Sequence, residues 1–64
     1  MISDTIRTLR ERAGYSQTEL AKRLSVTRSS VNAWESGPSA PTAINIIELA
    51  KLFHVSADFI LEQE

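Results

Sequence analysis

A group of small or polar residues near the middle of the chain falls on one side of a predicted helix. At about 100° per residue, the following positions lie within about half a turn of one another: Arg28, Ser29, Asn32, Ala33 and Ser36. The face they form is rich in hydrogen-bonding groups and free of carboxylates. Such a face suits contact with the edges of base pairs in the major groove of duplex DNA.

A first short helix precedes this face. Ser16 and Glu19 have the spacing of a capping box, which predicts a helix beginning at Gln17. Its apolar positions recur at the spacing of one helix face and are Leu20, Ala21 and Leu24. The helix therefore has one apolar side that can pack against a core.

A second helix start follows at Thr27, and Val31 and Trp34 form the apolar stripe of the helix that carries the polar face. Trp34 could stack on a base, but its place on the Val31 side favours the core. Two short amphipathic helices joined by so tight a turn predict a helix-turn-helix, which reads duplex DNA.

The other elements are also predicted to be helices. The first runs from about Ser3 or Asp4 to Ala13, with Gly14 as a left-handed stop. Its inward stripe is Ile2, Ile6, Leu9 and Ala13. Gly37 closes the third helix, Thr42 caps a fourth over 43–53, and Ser56 caps a last helix over 57–62.

The last two helices carry more apolar residues than one core face needs. The fourth helix is apolar almost all round, and the fifth has two apolar sides. This surplus predicts a homodimer formed by the fifth helix and the outer flank of the fourth. The interface residues that we expect are Ala57, Ile60 and Leu61.

Length and composition limit the possible classes of protein. The chain has 64 residues and no cysteine, which predicts one domain over 1–64 without disulfides or a thiolate zinc site. No apolar run approaches the roughly 18 residues of a membrane span, and the N-terminus does not have the order of a signal peptide. We therefore expect a cytoplasmic protein without membrane contact.

The net charge of −1 is unusual for a nucleic-acid-binding chain, but the charges are unevenly distributed. Residues 7–28 contain six basic and two acidic residues, a net +4, whereas residues 35–64 carry a net −4. The asymmetry can turn the positive half toward phosphate, although ordinary surface charge explains it equally well.

The sequence shows no arrangement of residues that is typical of a catalytic site. His54 is the only histidine and lies in a short connection between helices, where a surface or capping role is expected. Gly14 and Gly37 are too far apart to cradle a phosphate, and the carboxylates lack the spacing of metal ligands. We predict no enzymatic activity, no cofactor, no bound metal and no small-molecule substrate.

The ordered set of motifs resembles the lambdoid phage repressor and Cro family of XRE-type regulators over nearly the whole chain. The motifs are Ser16-Gln17-x-Glu19-Leu20-Ala21, Val26-Thr27, Trp34-Glu35-x-Gly37, Pro41-Thr42, Leu49-Ala50 and Val55-Ser56-x-Asp58-x-Ile60-Leu61. The resemblance implies an all-α, five-helix repressor-like DNA-binding domain. It implies a transcriptional regulator, most simply a repressor that binds an operator in double-stranded DNA as a homodimer.

The resemblance also implies residue roles. The expected base-contacting residues are Thr27, Arg28, Ser29, Asn32 and Ala33, and the expected phosphate-contacting residues are Arg10, Ser16, Gln17, Ser36 and Thr42. Free backbone N–H groups at the helix starts near Ser16 and Thr42 independently favour phosphate. The family further suggests that Arg10 pairs with Glu35; the alternative is that Arg10 extends alone to water.

Two positions depart from the family pattern. Ser25 stands where a glycine is usual in the turn, and the loop from Pro38 to Pro41 has no lysine or arginine.

Two other functions stay open at this point. One is a protein-interaction module, antitoxin-like or a coactivator, that grips a partner through its apolar helices; the other is the DNA-binding piece of a longer regulator.

Overall fold

The computed structural model describes residues 1–61, which form five α-helices and no strand. The helices are α1 (Ile2–Arg12), α2 (Gln17–Leu24), α3 (Arg28–Ser36), α4 (Ala43–Phe53) and α5 (Ala57–Leu61). The all-α fold is therefore confirmed. The predicted extension of α5 to Glu62 lies outside the described residues.

Four of the helices have a serine or threonine as N-cap. Each accepts a hydrogen bond from the backbone N–H three residues later, at 2.9–3.3 Å, and the four residues are Ser16, Thr27, Thr42 and Ser56. At α2 the Glu19 carboxylate also accepts from the Ser16 N–H at 2.8 Å, which completes the capping box. These starts confirm the boundaries predicted from sequence.

A residue in the left-handed backbone region follows each of the helices α1 to α4. Gly14 and Gly37 have φ of 79° and 100°, and Ser25 and His54 adopt φ of 57° without the freedom of glycine. Just after Ser25, the Val26 N–H donates to the Ala21 carbonyl at 3.0 Å, a bond that fastens the turn between α2 and α3. Ser25 thus adopts a backbone angle that is most accessible to glycine, the residue expected at this turn from the resemblance.

The core is formed by side chains from all five helices. The most buried hydrophobic residues are Ile6, Leu20, Ala21, Val31, Trp34, Ile46, Leu49, Ala50 and Ile60. Helix α3 packs against both α1 and α2, while α5 closes the other end by contacting α1 and α4. The predicted stripes of α2 and α3 are confirmed, including the buried position of Trp34.

Three expectations are wrong. Helix α1 begins at Ile2 rather than at Ser3 or Asp4, and its N-cap residue, Met1, makes no side-chain hydrogen bond. Ala13 is exposed, since the helix has already ended at Arg12. Ile60 is fully buried in the core of the single chain, so it cannot be an exposed anchor for a partner.

The other two residues of the expected interface remain accessible. Ala57 is half-buried beside the core, and Leu61 is 45% exposed. Among residues 1–61 no helix is long and apolar enough to cross a membrane.

Candidate nucleic-acid interface

Helix α3 presents two faces of opposite character. Val31, Trp34 and Glu35 are buried on the inner side, where the apolar side chains pack against α1 and α2. The outer side carries the residues predicted to face DNA: Arg28, Ser29, Asn32 and Ser36 are exposed, and Ala33 is half-buried. The structure thus brings these predicted residues onto one accessible surface, which is called the α3 face below.

Thr27 stands at the edge of this surface with its hydroxyl already engaged. The Thr27 Oγ1 accepts from the Ser30 N–H at 3.1 Å and lies 3.1 Å from the Ser30 hydroxyl. These bonds fix the first turn of α3. The Arg28 side chain, one residue later, forms no ion pair among the described residues and is exposed.

An ion pair holds the inner side of α3 to α1. The Arg10 Nε donates to Glu35 Oε2 at 2.6 Å and Nη2 donates to Oε1 at 3.0 Å, with only 13% and 4% of the two side chains exposed. The hydrogen bond to Glu35 raises the pKa of Arg10. The pairing of Arg10 with Glu35 is confirmed, and the alternative of a lone Arg10 is excluded.

The remaining contacts of Arg10 bear on its predicted role at phosphate. Its Nη1 donates to the Tyr15 carbonyl at 2.9 Å, so all three guanidinium nitrogens have partners within the protein. In this arrangement Arg10 orients α3 and the segment before α2. Its charge lies behind the α3 face rather than on it.

Gln17, the first residue of α2, forms side-chain hydrogen bonds to α3. Its Nε2 lies 3.2 Å from Glu35 Oε1 and 3.4 Å from Asn32 Oδ1. Sequence reasoning assigned Gln17 to phosphate alone and missed both contacts. The spacing within each helix gives no signal for them, because they depend on how α2 lies across α3.

The two helix starts predicted at phosphate are accessible. Ser16 and Thr42 are exposed, and each precedes a helix whose first N–H groups have no partner within that helix. Hydrogen bonds from the Ser16 backbone and hydroxyl lower the pKa of Glu19, which keeps a carboxylate charge at the α2 start. That negative charge partly offsets the attraction of this helix start for phosphate.

Tyr15 is a structural residue that the sequence did not single out. Its ring packs beside Phe53 at 6.2 Å between centroids, and the Arg23 guanidinium lies 4.7 Å above it. The cation–π contact holds one basic side chain of α2 against the body of the protein. An aromatic residue directly after a helix stop was the available signal.

Comparison with known proteins agrees with this geometry. The family described as "Helix-turn-helix" matches residues 6–60, a range that contains α2, the turn and α3. The chain belongs to the helix-turn-helix family of XRE or phage-repressor type. This family consists of DNA-binding transcriptional regulators, and the names of similar proteins are those of regulators rather than enzymes.

Two curated relatives in this helix-turn-helix family cover nearly all of the chain. HTH-type transcriptional regulator DicA of Escherichia coli is 38% identical over 60 residues, which are 94% of this chain and 44% of DicA. Uncharacterized HTH-type transcriptional regulator YgzD of Bacillus subtilis is 34% identical and is matched over 98% of both chains. The chain therefore spans less than half of DicA and nearly all of YgzD.

Solved structures confirm the five-helix repressor-like fold. The P22 c2 repressor in complex with a synthetic operator superposes with a TM-score of 0.92 at 25% identity, covering 100% of this chain and 97% of that one. SinR, a master regulator for biofilm formation solved in complex with DNA, superposes with a TM-score of 0.86 at 27% identity. That match covers 95% of this chain and 98% of SinR.

Proposed function

We propose that this helix-turn-helix domain binds a specific operator in duplex DNA as a homodimer and represses transcription by occupying that site. The observation that carries the proposal is the α3 face, which is exposed, polar and free of carboxylates while its reverse side is pinned by Arg10 and Glu35. A rigid helix with this surface fits the major groove. The operator-bound P22 c2 repressor has the same fold.

The roles proposed at the bases follow from side-chain chemistry. Arg28 can donate to guanine O6 and N7 together, and Asn32 offers an amide to a base edge. The half-buried methyl group of Ala33 is suited to a thymine methyl, and Ser29 can donate or accept. Thr27 caps α3 and so holds the first turn of this helix in position for base contact. We propose that Thr27 also contacts a base.

The roles proposed at phosphate fall to residues at helix ends. Gln17, Ser16 and Thr42 lie at the starts of α2 and α4, where N–H groups and the helix dipole attract anions. Ser36, the last residue of α3, is exposed and completes the proposed phosphate-contacting set. We assign Arg10 a supporting part in this set, because its guanidinium is held by Glu35 and Tyr15.

A second copy of the chain is the occupant we propose for an apolar groove between α4 and α5. The groove has a volume of about 300 Å³ and is lined by Pro41, Ala43, Ile46, Ile47, Ala57 and Leu61. Ile47 is 48% exposed at its rim. A symmetric dimer would bury this surface and double the number of phosphate and base contacts, which one small module needs for useful affinity.

Selection of random duplex DNA at two salt concentrations tests the proposal. We expect an enriched sequence with two related halves, and affinity for it that falls steeply as salt rises because phosphate contacts release counterions. A scrambled duplex of the same composition is the control. Absence of any enriched sequence would reject the proposal and favour a protein-interaction module that uses the same groove.

A further inference from the structure

In the hydrogen bonds behind the α3 face, the chemistry of each group decides which atom donates and which accepts. Glu35 is paired with the guanidinium of Arg10, and an ionised carboxylate can only accept hydrogen bonds. The carboxamide atom of Gln17 that faces Glu35 Oε1 at 3.2 Å must therefore be its NH₂ group. Arg10 and Glu35 together determine which way the Gln17 amide is turned.

The same NH₂ group determines the orientation of the next amide. Gln17 Nε2 lies 3.4 Å from Asn32, and because an amide nitrogen donates and does not accept, the Asn32 atom on that side must be Oδ1. The Nδ2 group of Asn32 then occupies the other position of its exposed amide. Without this contact an exposed asparagine could turn either end toward a ligand.

We propose that Gln17 is a positioning residue for base selectivity: it fixes the Asn32 amide so that Asn32 offers an N–H donor to the base edge. This inference rests on the proposed function, since it assumes that the α3 face reads duplex DNA. Guanine, adenine and thymine present acceptors in the major groove, whereas cytosine presents its N4 amino donor. Asn32 therefore selects against cytosine at the base it contacts.

The experiment uses four duplexes that are identical except for the base pair contacted by Asn32. That pair is first located as the operator position at which Asn32→Ala loses its preference. The parent protein should bind the cytosine duplex about fivefold or more weakly than the best of the others. Stronger binding of the parent to the cytosine duplex would contradict the proposed orientation.

Two near-isosteric variants separate a role of Gln17 in positioning the Asn32 amide from a role in contacting phosphate alone. Gln17→Met removes the amide at similar length, so the ratio between best and worst duplex should fall toward one in addition to any general loss of affinity. Asn32→Asp replaces the donor by an acceptor, so the cytosine duplex should become the preferred one. Thr42→Ala, at a proposed phosphate-contacting helix start without a bond to Asn32, is the control: it should weaken binding to all four duplexes alike and so keep the parent's ratios.

The outcomes distinguish this proposal from the proposed function. Uniform weakening on all four duplexes by Gln17→Met would mean that Gln17 only contacts phosphate, and would overturn the positioning role while operator binding stands. Equal binding of the parent to its operator and to a scrambled duplex would instead overturn the proposed function itself. Circular dichroism at the assay temperature confirms that each variant is folded.

Discussion

Arg10 and Glu35, 25 residues apart in the chain, form a bidentate ion pair that joins α1 to the last turns of α3. Their N···O distances of 2.6 and 3.0 Å and the 4% exposure of the Glu35 side chain show that the pair is largely shielded from water. Because Gln17 bonds to the same carboxylate, one buried group orients α1, α2 and α3 together.

Breaking this pair from one side should destabilise the fold more than removing it altogether. Arg10→Met leaves Glu35 buried without its cation, and we expect a loss of about 2–4 kcal/mol in the free energy of unfolding. The double variant Arg10→Met/Glu35→Leu should lose less than Arg10→Met alone. Urea unfolding of both single variants and the double variant gives the coupling energy, and a coupling of zero would exclude an energetic role for the pair.

Trp34 is the single residue whose loss should damage the domain most. Only 5% of it is exposed, and Trp34→Ala should lower the free energy of unfolding by about 3–5 kcal/mol. A domain of this size holds little more than that, so the variant should be largely unfolded at room temperature. Thermal unfolding followed by circular dichroism checks this, with the exposed Thr8→Ala as the control; a midpoint equal to the parent's would contradict the core assignment.

Ser25 should be a site where glycine stabilises the protein. Its φ of 57° lies in the left-handed region, which is unfavourable for residues with a Cβ by roughly 1–2 kcal/mol and open to glycine. Ser25→Gly should therefore raise the free energy of unfolding by up to about 1 kcal/mol, after the larger entropy loss of glycine is subtracted. Ser25→Ala, which retains a Cβ, is the matched control, and an equal response of both variants would show that the turn is unstrained.

The fold and the polar face were predictable from sequence because they depend on local rules. The Ser16 capping box and the Thr42 cap set the helix starts, and the spacing of Val31 and Trp34 identified the buried side of α3. The position of Ile60 was not predictable in this way, because α5 is too short for its spacing to show which apolar side meets α1 and α4. The Gln17 contacts likewise depend on how helices cross.

The corrected burial of Ile60 changes the test of the proposed dimer. Leu61→Asp places a charge at the 45% exposed position of the groove and should separate subunits while the monomer stays folded. Ile60→Asp should unfold the chain, because it buries an unpaired charge. Sedimentation of the parent and Leu61→Asp, free and on operator DNA, checks this. A Leu61→Asp protein that still dimerises, or a parent that stays monomeric in both states, would reject the groove as the interface.

The most direct test of the central claim is the affinity of Arg28→Ala for its operator. This exposed side chain is proposed to reach guanine, so its loss should cost about 1–3 kcal/mol on the selected operator and much less on a scrambled duplex. Arg12→Ala removes the same charge from α1 and is the matched control, expected to alter both duplexes slightly and alike. Thermal midpoints of both variants should stay close to the parent's, as for surface substitutions. If Arg28→Ala binds operator and scrambled duplex with the parent's affinities, the α3 face does not read DNA.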